Sequence, residues 1–316
     1  MTMFVALVLL VVGLGVVVYF AEKLVKGVVG TSLGFGVSTF VVSVVFIGFD
    51  PENLAVGAVA SYEGASGIAL GSVIGAAMVA IALAFGITAL IAPMRFERAP
   101  SQVLGVPILS VILLGVLGMD GELSRIDGAI LLLGFMLSVF YLIRLSKAGF
   151  DIKASGEVAE TLEEADAVNR WRSAGLMVGS LVAIVIGSEM IVTGAETIVT
   201  RLGFSDTVFG MTVLALLVSI EELARELPAA KRGKAEIAYG NVAGSLLAFF
   251  LFNAGIIALV NPVAVDGLVL TFYLPMCLAT VVVVSGFMLT KSVPRWAGAI
   301  LVALYVVFAI GGYVLS

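Results

Sequence analysis

The chain has no histidine, a single cysteine and few charged residues. Without histidine, imidazole-based catalysis, proton transfer and metal binding are excluded, so any proton-handling group must be a carboxylate. The lone Cys277 cannot form an internal disulfide and gives no information about redox compartment. The chain also has no thiol pair and no phosphate-binding loop, which argues against an enzyme. We expect no cofactor, no nucleic-acid partner and no obligatory protein partner.

The chain consists largely of long hydrophobic segments. Charged residues make up 12% of it and hydrophobic residues 61%, whereas soluble domains are about 25% charged. Runs of about 20 apolar residues indicate membrane-spanning helices. The first run, Met1–Phe20, lacks the basic start and cleavage site of a signal peptide and is interpreted as a span. Ten spans are predicted, at about 3–21, 30–61, 68–93, 102–118, 126–146, 173–199, 206–229, 236–260, 266–290 and 295–315.

The basic residues predict the orientation of these spans. Of the 17 Lys and Arg residues, all except Arg125 and Arg201 fall on one side of the ten-span arrangement. The basic side of a membrane protein is cytoplasmic. We therefore expect an integral protein of a prokaryotic plasma membrane with both termini outside.

One segment of the chain occurs twice. Residues 33–93 align without a gap with 202–262 at an offset of 169, and 20 of the 61 aligned positions are identical. Because each half holds five spans, an odd number, the second half must enter the membrane upside down relative to the first. Such inverted repeats are typical of secondary transporters.

The fold prediction is therefore an all-α polytopic membrane protein of ten transmembrane helices, arranged as two inverted five-helix repeats with helices 2 and 7 broken. The repeats are predicted at 1–148 and 172–316, with cation-site halves at 30–93 and 202–262. An acidic cytoplasmic linker at 149–171 joins them and is interpreted as a solvated connection.

Each repeat carries an acidic cluster within an apolar span, at 50–53 (DPEN) and 219–222 (SIEE). Charge inside a membrane is costly and marks an ion or substrate pathway. Pro51 should break the second span near Phe49–Asp50, because proline removes a backbone donor and restricts the residue before it. Carboxylates that face each other also repel unless a cation or proton lies between them. Adjacent residues on a helix point about 100° apart, so one member of each adjacent pair should line the site.

These segments resemble the two alpha repeats of the cation/calcium antiporter superfamily, which includes the sodium/calcium exchangers. The family motifs are similar to G-T-S-x-P-E on the broken helix and G-N-x-x-G-S-N on the next. The matching stretches here are 48–53 (GFDPEN) and 71–77 (GSVIGAA) in the first half, and 217–222 (LVSIEE) and 240–246 (GNVAGSL) in the second. The likeness covers both repeats and is strongest at 240–245.

The resemblance implies a secondary antiporter that exchanges a divalent cation, with Ca²⁺ favoured, for Na⁺ by alternating access. In the register of the internal repeat, the family's cation-binding glutamates fall on Asn53 and Glu222, and its motif serines on Asp50 and Ser219. Anchoring on Pro-Glu would instead make Glu52 the ligand of the first half. We prefer the first register because the gapless repeat supports it. The resulting set has Asp50 and Glu222 as direct ligands, Asn53, Ser219 and Ser245 assisting, and Glu52 and Glu221 supporting the site or lining the path.

Other family ligands are missing. The serine of the third span is replaced by Ala76, the motif threonines by Phe49 and Val218, and a later polar position by Ala80 and Phe249. We therefore expect fewer bound cations than in a typical exchanger. The loss of hydroxyl ligands that suit Na⁺ motivates an alternative in which H⁺ is the coupling ion. A cation channel or a binding-only protein on the same scaffold is a further alternative.

Overall fold

The structure is a computed structural model, and it describes residues 1–37, 39, 42, 49–96, 101–147, 161, 169–233 and 235–316. Nine helices within these residues are long and apolar enough to cross a membrane. The predicted all-α membrane class is thus confirmed. Residues 38, 40–41 and 43–48 of the predicted second span, and most of the predicted linker at 149–171, lie outside the described residues.

Short turns and two-residue strands occur between the helices in the described residues. The helices of the first half are α1 (Met3–Gly34), α2 (Pro51–Glu63), α3 (Ser66–Ile91), α4 (Gly105–Leu117) and α5 (Arg125–Lys147). Those of the second half are α6 (Arg170–Leu202), α7 (206–219), α8 (Glu221–Lys231), α9 (235–260), α10 (Val269–Leu289) and α11 (Arg295–Leu315). The strands are β1 (Met94–Arg95), β2 (Glu122–Leu123), β3 (Val263–Ala264) and β4 (Ser292–Val293).

α1 and α6 are 32 and 33 residues long, well beyond the 20 or so needed to cross a bilayer. α1 continues past the limit predicted at residue 21 and includes residues 30–34, which the prediction gives to the second span, because no proline interrupts the helix before Gly34. The two helices pack in opposite directions through glycines. A Cβ on Gly13 would lie 2.6 Å from the carbonyl oxygen of Gly187, and one on Gly27 would lie 2.6 Å from the backbone nitrogen of Met177. Helices this long must tilt in a bilayer.

The strands pair across the two halves of the chain. β1 pairs with β4, and β2 pairs with β3, both antiparallel. β1 and β3 stand at matched positions, since their bounds differ by the offset of 169. Each half therefore pairs its strand with the other half, as is expected of halves related by a two-fold axis.

Two glycine pairs follow the same crossed pattern. A Cβ on Gly298 of α11 would lie 2.5 Å from the carbonyl oxygen of Gly86 on α3. A Cβ on Gly128 of α5 would lie 2.7 Å from the carbonyl oxygen of Gly255 on α9. Gly86 and Gly255 are matched positions of the repeat. The small residues let the backbones come into contact, so each half packs one of its helices closely against a helix of the other half.

The centre of the bundle is closed by the crossing of α3 and α7. A Cβ on Gly71 would lie 2.3 Å from the carbonyl carbon of Gly210, and one on Gly67 would lie 2.4 Å from the backbone nitrogen of Thr207. These contacts are with backbone atoms, which cannot move aside as a flexible side chain can. The glycines on α3 are therefore required for packing.

We expect Gly71→Ala to destabilise the protein, because the added methyl group overlaps the Gly210 backbone and must separate α3 from α7. Overpacking of this kind typically costs about 1–3 kcal/mol. Gly115→Ala on α4 is the matched control, because a Cβ there meets nothing within 4 Å. Thermal unfolding of the two purified variants in one detergent measures the effect. Equal melting temperatures for both would contradict the assigned crossing.

Candidate cation site

The first acidic cluster lies where the chain enters α2. Asp50 has extended backbone angles (φ −128°, ψ 92°), and its Oδ1 accepts a hydrogen bond of 2.9 Å from the backbone N–H of Asn53. Pro51 takes the first helical position, where its missing N–H is not needed. Asp50 thus caps a helix that begins inside the protein, and Phe49 and Asp50 are not helical, as predicted from Pro51.

The second cluster is interrupted less strongly. Ile220 occupies the position matched to Pro51 and keeps nearly helical angles (φ −63°, ψ −23°), so only this one residue separates α7 from α8. The difference has a local cause, since a residue with a backbone N–H and no ring does not force the preceding residue out of the helical region. Both α2 and α8 nevertheless begin at an acidic cluster, and a helix N-terminus stabilises negative charge.

Asn53 connects the two halves of the chain. Its Nδ2 donates hydrogen bonds of 2.9 Å to Asp50 Oδ2 and of 2.9 Å to Ser219 Oγ. All three residues are buried, with relative exposures of 2% for Asp50 and 0% for Asn53 and Ser219. The amide oxygen of Asn53 is buried and has no hydrogen-bond partner within the described part of the chain. Three of the predicted site residues therefore meet, with an unused oxygen among them.

A second amide joins two carboxylates. Asn241 on α9 donates from Nδ2 to Glu222 Oε2 at 2.7 Å and to Glu226 Oε1 at 3.0 Å. Glu222 and Glu226 are one turn apart on α8 and each is 1% exposed. Two carboxylates on one amide repel each other, and a bound cation or proton relieves that repulsion.

The two halves differ at this contact. The positions matched to Glu226 and Asn241 are Gly57 and Ser72, and a Cβ on Gly57 would lie only 2.1 Å from Ser72 Oγ. The helix-to-helix contact is thus kept in both halves, but only the second half carries a carboxylate in it. The Ser72 hydroxyl donates instead to the carbonyl oxygen of Ala69 in its own helix.

The remaining predicted residues lie beside these clusters. Glu52 is fully buried, and Glu221 is partly exposed. Ser245 is 2% exposed and stands one turn beyond Asn241 on α9, so both project from the same side of that helix. Phe249 follows a further turn on and is fully buried.

The donor set suits a hard cation bound by mixed oxygens. Within the part of the chain that the structure describes, no three Asp, Glu or Cys side chains are close enough to hold a metal ion by themselves. A cation here would therefore also need amide, hydroxyl and backbone carbonyl oxygens. Such oxygens are what Na⁺ and Ca²⁺ accept.

Glu226 is a site residue that the sequence interpretation missed. It lies within the predicted seventh span, and its spacing of four from Glu222 places both on one helix face. Asn241 belongs to the motif at 240–246 and is not among the predicted site residues. Helical spacing indicates these residues and comparison of the two repeats does not, because the matched positions in the first half are Gly57 and Ser72.

Further acidic side chains gather at the end of α2 opposite its capped start. The pKa of Glu63 is raised above its usual value, mainly because the carboxyl group is partly buried. The nearby charges of Glu196 and Glu189 raise it further. Glu63 follows the predicted second span, on the side predicted to face outside. A cluster of like charges raises the local concentration of cations.

Comparison with known proteins gives a consistent set of relatives. The family model described as sodium/calcium exchanger protein matches residues 5–144 and 172–313. An uncharacterized membrane protein of Methanocaldococcus jannaschii is 30% identical over 302 residues, covering 93% of this chain and 94% of that protein. The sodium/calcium exchanger MaX1 of Methanosarcina acetivorans is 28% identical over 342 residues, covering 96% of this chain and 97% of its own.

Solved structures resemble the whole chain as well. The sodium-calcium exchanger NCX_Mj soaked with 100 mM Na⁺ and 10 mM Sr²⁺ superposes with a TM-score of 0.62 at 27% identity, covering 98% of this chain and 99% of that one. The same exchanger soaked with zero Na⁺ and Ca²⁺ gives a TM-score of 0.60 at 28% identity, covering 99% and 100%.

We expect Asn241→Ala to lower the melting temperature at pH 8, because two buried carboxylates lose a shared hydrogen-bond donor. Such a loss typically costs about 1–3 kcal/mol. Ser72→Ala at the matched position should have a much smaller effect, since its hydroxyl bonds only to its own helix. Thermal unfolding at fixed salt compares the two, and equal shifts would argue against the shared role of Asn241.

Glu63 should make stability depend on pH. Because its pKa is raised in the folded protein, the ionised form is disfavoured there, and folding is penalised once the pH exceeds that raised value. The penalty vanishes when the pH falls below the pKa of the unfolded chain. Glu63→Gln should therefore raise the melting temperature at pH 8 and leave it unchanged at pH 4, and an equal gain at both would contradict the electrostatic cause.

Proposed function

Because the chain belongs to the sodium/calcium exchanger protein family, we propose that it is a secondary antiporter that exchanges Ca²⁺ for Na⁺ by alternating access. It is an integral membrane protein that handles inorganic cations, and its family is one of transporters rather than enzymes. The relative named a sodium/calcium exchanger and the NCX_Mj structures support these two ions. The distribution of Lys and Arg supports a plasma-membrane orientation with both termini outside.

The observation that carries the proposal is the bridge made by Asn53. Its amide nitrogen holds Asp50 of one half and Ser219 of the other at 2.9 Å each. A nitrogen that donates hydrogen bonds cannot coordinate a cation, whereas the amide oxygen can. On cation binding, Asn53 would rotate its amide so that the oxygen joins Asp50 and Ser219 around the ion.

The second half would complete the site with Glu222 and Ser245. Glu222 is already held by Asn241, which fixes the position of its carboxylate. In the proposed arrangement residues 30–93 and 202–262 each supply half of one site. Glu52 and Glu221 support that site or line the path to it.

The chemistry of the site gives a reason for obligatory exchange. Buried carboxylates without a counter-ion repel one another, and an apolar surrounding makes that repulsion costly. The protein can therefore change its accessible side at low cost only when cations occupy the site. Halves in inverted orientation provide two equivalent openings, one to each side of the membrane.

Coupling to H⁺ instead of Na⁺ is the second candidate. The arrangement of Glu222 and Glu226 on one amide favours it, because a carboxylate pair one turn apart can share a proton. The family's hydroxyl positions that are occupied by Ala76, Phe49 and Val218 point in the same direction.

Reconstituted vesicles test both candidates. Ca²⁺ uptake driven by an imposed Na⁺ gradient at equal pH supports Na⁺ coupling, and uptake driven by a pH gradient without Na⁺ supports H⁺ coupling. Flux that needs no counter-ion would instead indicate a channel. Binding without flux would indicate a binding-only protein.

We expect Asp50→Asn and Glu222→Gln each to abolish exchange, because each removes a charge that the cation neutralises. Glu63→Gln is the matched control, since it makes the same change of acid to amide outside the proposed site. Counterflow of Ca²⁺ in vesicles measures all three variants. Wild-type activity in both Asp50→Asn and Glu222→Gln would refute the site assignment.

A further inference from the structure

Asn253 is a buried polar residue that the proposed site does not yet use. It ends the π-helical stretch Ala248–Asn253 of α9 and is 0% exposed. Among the residues that the structure describes, neither its amide oxygen nor its amide nitrogen has a hydrogen-bond partner. Burying an amide without partners costs several kcal/mol in an apolar medium, and buried polar groups in native proteins are almost always satisfied. A ligand that supplies the missing partner would explain the residue.

The residues before and after Asn253 in α9 contact the segment that carries the first acidic cluster. The ring of Phe252 lies 6.4 Å from that of Phe49, the residue before Asp50. One turn beyond Asn253, Ile257 packs on α2, where a Cβ on Gly57 would lie 2.4 Å from Ile257 Cδ1. The neighbours of Asn253 on both sides therefore contact the segment 49–57.

The direction of the two helices sets the depth of Asn253. Ser61 Oγ donates to the carbonyl oxygens of Ile257 and of Asn261, at 2.9 Å and 2.8 Å. Since Gly57 and Ser61 follow Ile257 and Asn261 in the same order, α2 and the end of α9 run side by side in the same direction. Asn53 and Asn253, each one turn earlier, consequently stand at one level.

Buried amide atoms without a hydrogen-bond partner are already present at that level. The amide oxygen of Asn53 is buried without a partner, as are both amide atoms of Asn253. The two amides are not hydrogen-bonded to each other, although they could be partners by their chemistry. A hard cation would satisfy the two amide oxygens, and the Asp50 carboxylate that accepts a hydrogen bond from Asn53 supplies a negative charge beside them.

The π-helical stretch brings Asn253 to the polar face of α9. In a regular α-helix, the twelve residues from Asn241 to Asn253 would turn the side chain about 120° away. A π-helical stretch places more residues in each turn and reduces this rotation, and such stretches are frequent at functional sites. The position matched to Asn253 in the first half is Ala84, so only the second half contributes this amide.

We propose that Asn253 is a direct cation ligand, whose Oδ1 joins Asp50 and the Oδ1 of Asn53 around a hard cation such as Ca²⁺ or Na⁺. The inference rests on the proposed function and adds a ligand from α9 on the side of the first acidic cluster. It also supplies an oxygen to a site in which Ala76 and Phe249 have removed others.

Ca²⁺-dependent thermal stabilisation of the purified protein tests the proposal without relying on transport. A ligand that binds only the folded protein raises the melting temperature, and the rise depends on the ratio of the ligand concentration to its Kd. For Asn253→Ala we expect at least a tenfold increase in the Ca²⁺ concentration that gives half the wild-type shift. The melting temperature without Ca²⁺ should be unchanged or higher, because an unsatisfied amide is removed. Asn253→Asp, which keeps the oxygens, should retain the response to Ca²⁺.

Tyr273→Phe is the matched control. Tyr273 also ends a π-helical stretch, is 0% exposed and has a hydroxyl without a hydrogen-bond partner, but it packs against Gly312 on α11. This variant should respond to Ca²⁺ as the wild type does. A lower melting temperature of Asn253→Ala without Ca²⁺, with an unchanged Ca²⁺ midpoint, would show a structural role and overturn the proposal.

The experiments distinguish a failure of the proposed exchange function from a failure of the ligand role of Asn253. If the wild type shows neither stabilisation by Ca²⁺ nor Ca²⁺ counterflow, the proposed function fails and the ligand role fails with it. If the wild type shows both and Asn253→Ala matches it, only the role of Asn253 is refuted.

Discussion

Negative charge held among apolar helices is the constraint on which the centre of this protein depends. Asp50 is 2% exposed, and a carboxylate at that burial needs donors close by. The chain supplies them by starting a helix at Pro51, so that backbone and side-chain N–H groups of Asn53 both reach Asp50. The helix start at Pro51 is therefore what makes the buried charge tolerable, and the charge in turn fixes where the helix begins.

The same constraint explains why the halves interlock. Asp50 and Ser219 can form one site only if the two halves of the chain keep a fixed relative position along the axis of the bundle. The crossed strand pairs and the Gly86–Gly298 and Gly128–Gly255 contacts give that relation at several levels of the bundle. Backbone-to-backbone contacts leave little freedom to slide. Accordingly the helices that meet at the site are the most buried ones, while the long α1 and α6 expose much of their surface.

Much of this could be predicted from sequence, for identifiable reasons. The membrane class follows from apolar length, and the non-helical backbone at Asp50 follows from the steric demands of Pro51. The near-continuity at Ile220 differs from the equal breaks that the repeat predicts, because no proline stands at the matched position. The partner of Asn53 could not be predicted either, since the orientation of an amide depends on which groups the tertiary structure brings to it.

Glu226 and Asn253 were missed for a different reason, and that reason bears on mechanism. The matched positions in the first half are small residues, Gly57 and Ala84, so comparison of the two halves does not indicate Glu226 or Asn253. In a transporter of inverted halves, two identical halves would make the outward-open and inward-open states equal in energy. Polar groups present in one half alone favour one of these states over the other, because they are paired differently in each. Under the proposed exchange, the resting orientation of this protein is therefore set by residues that the repeat does not share.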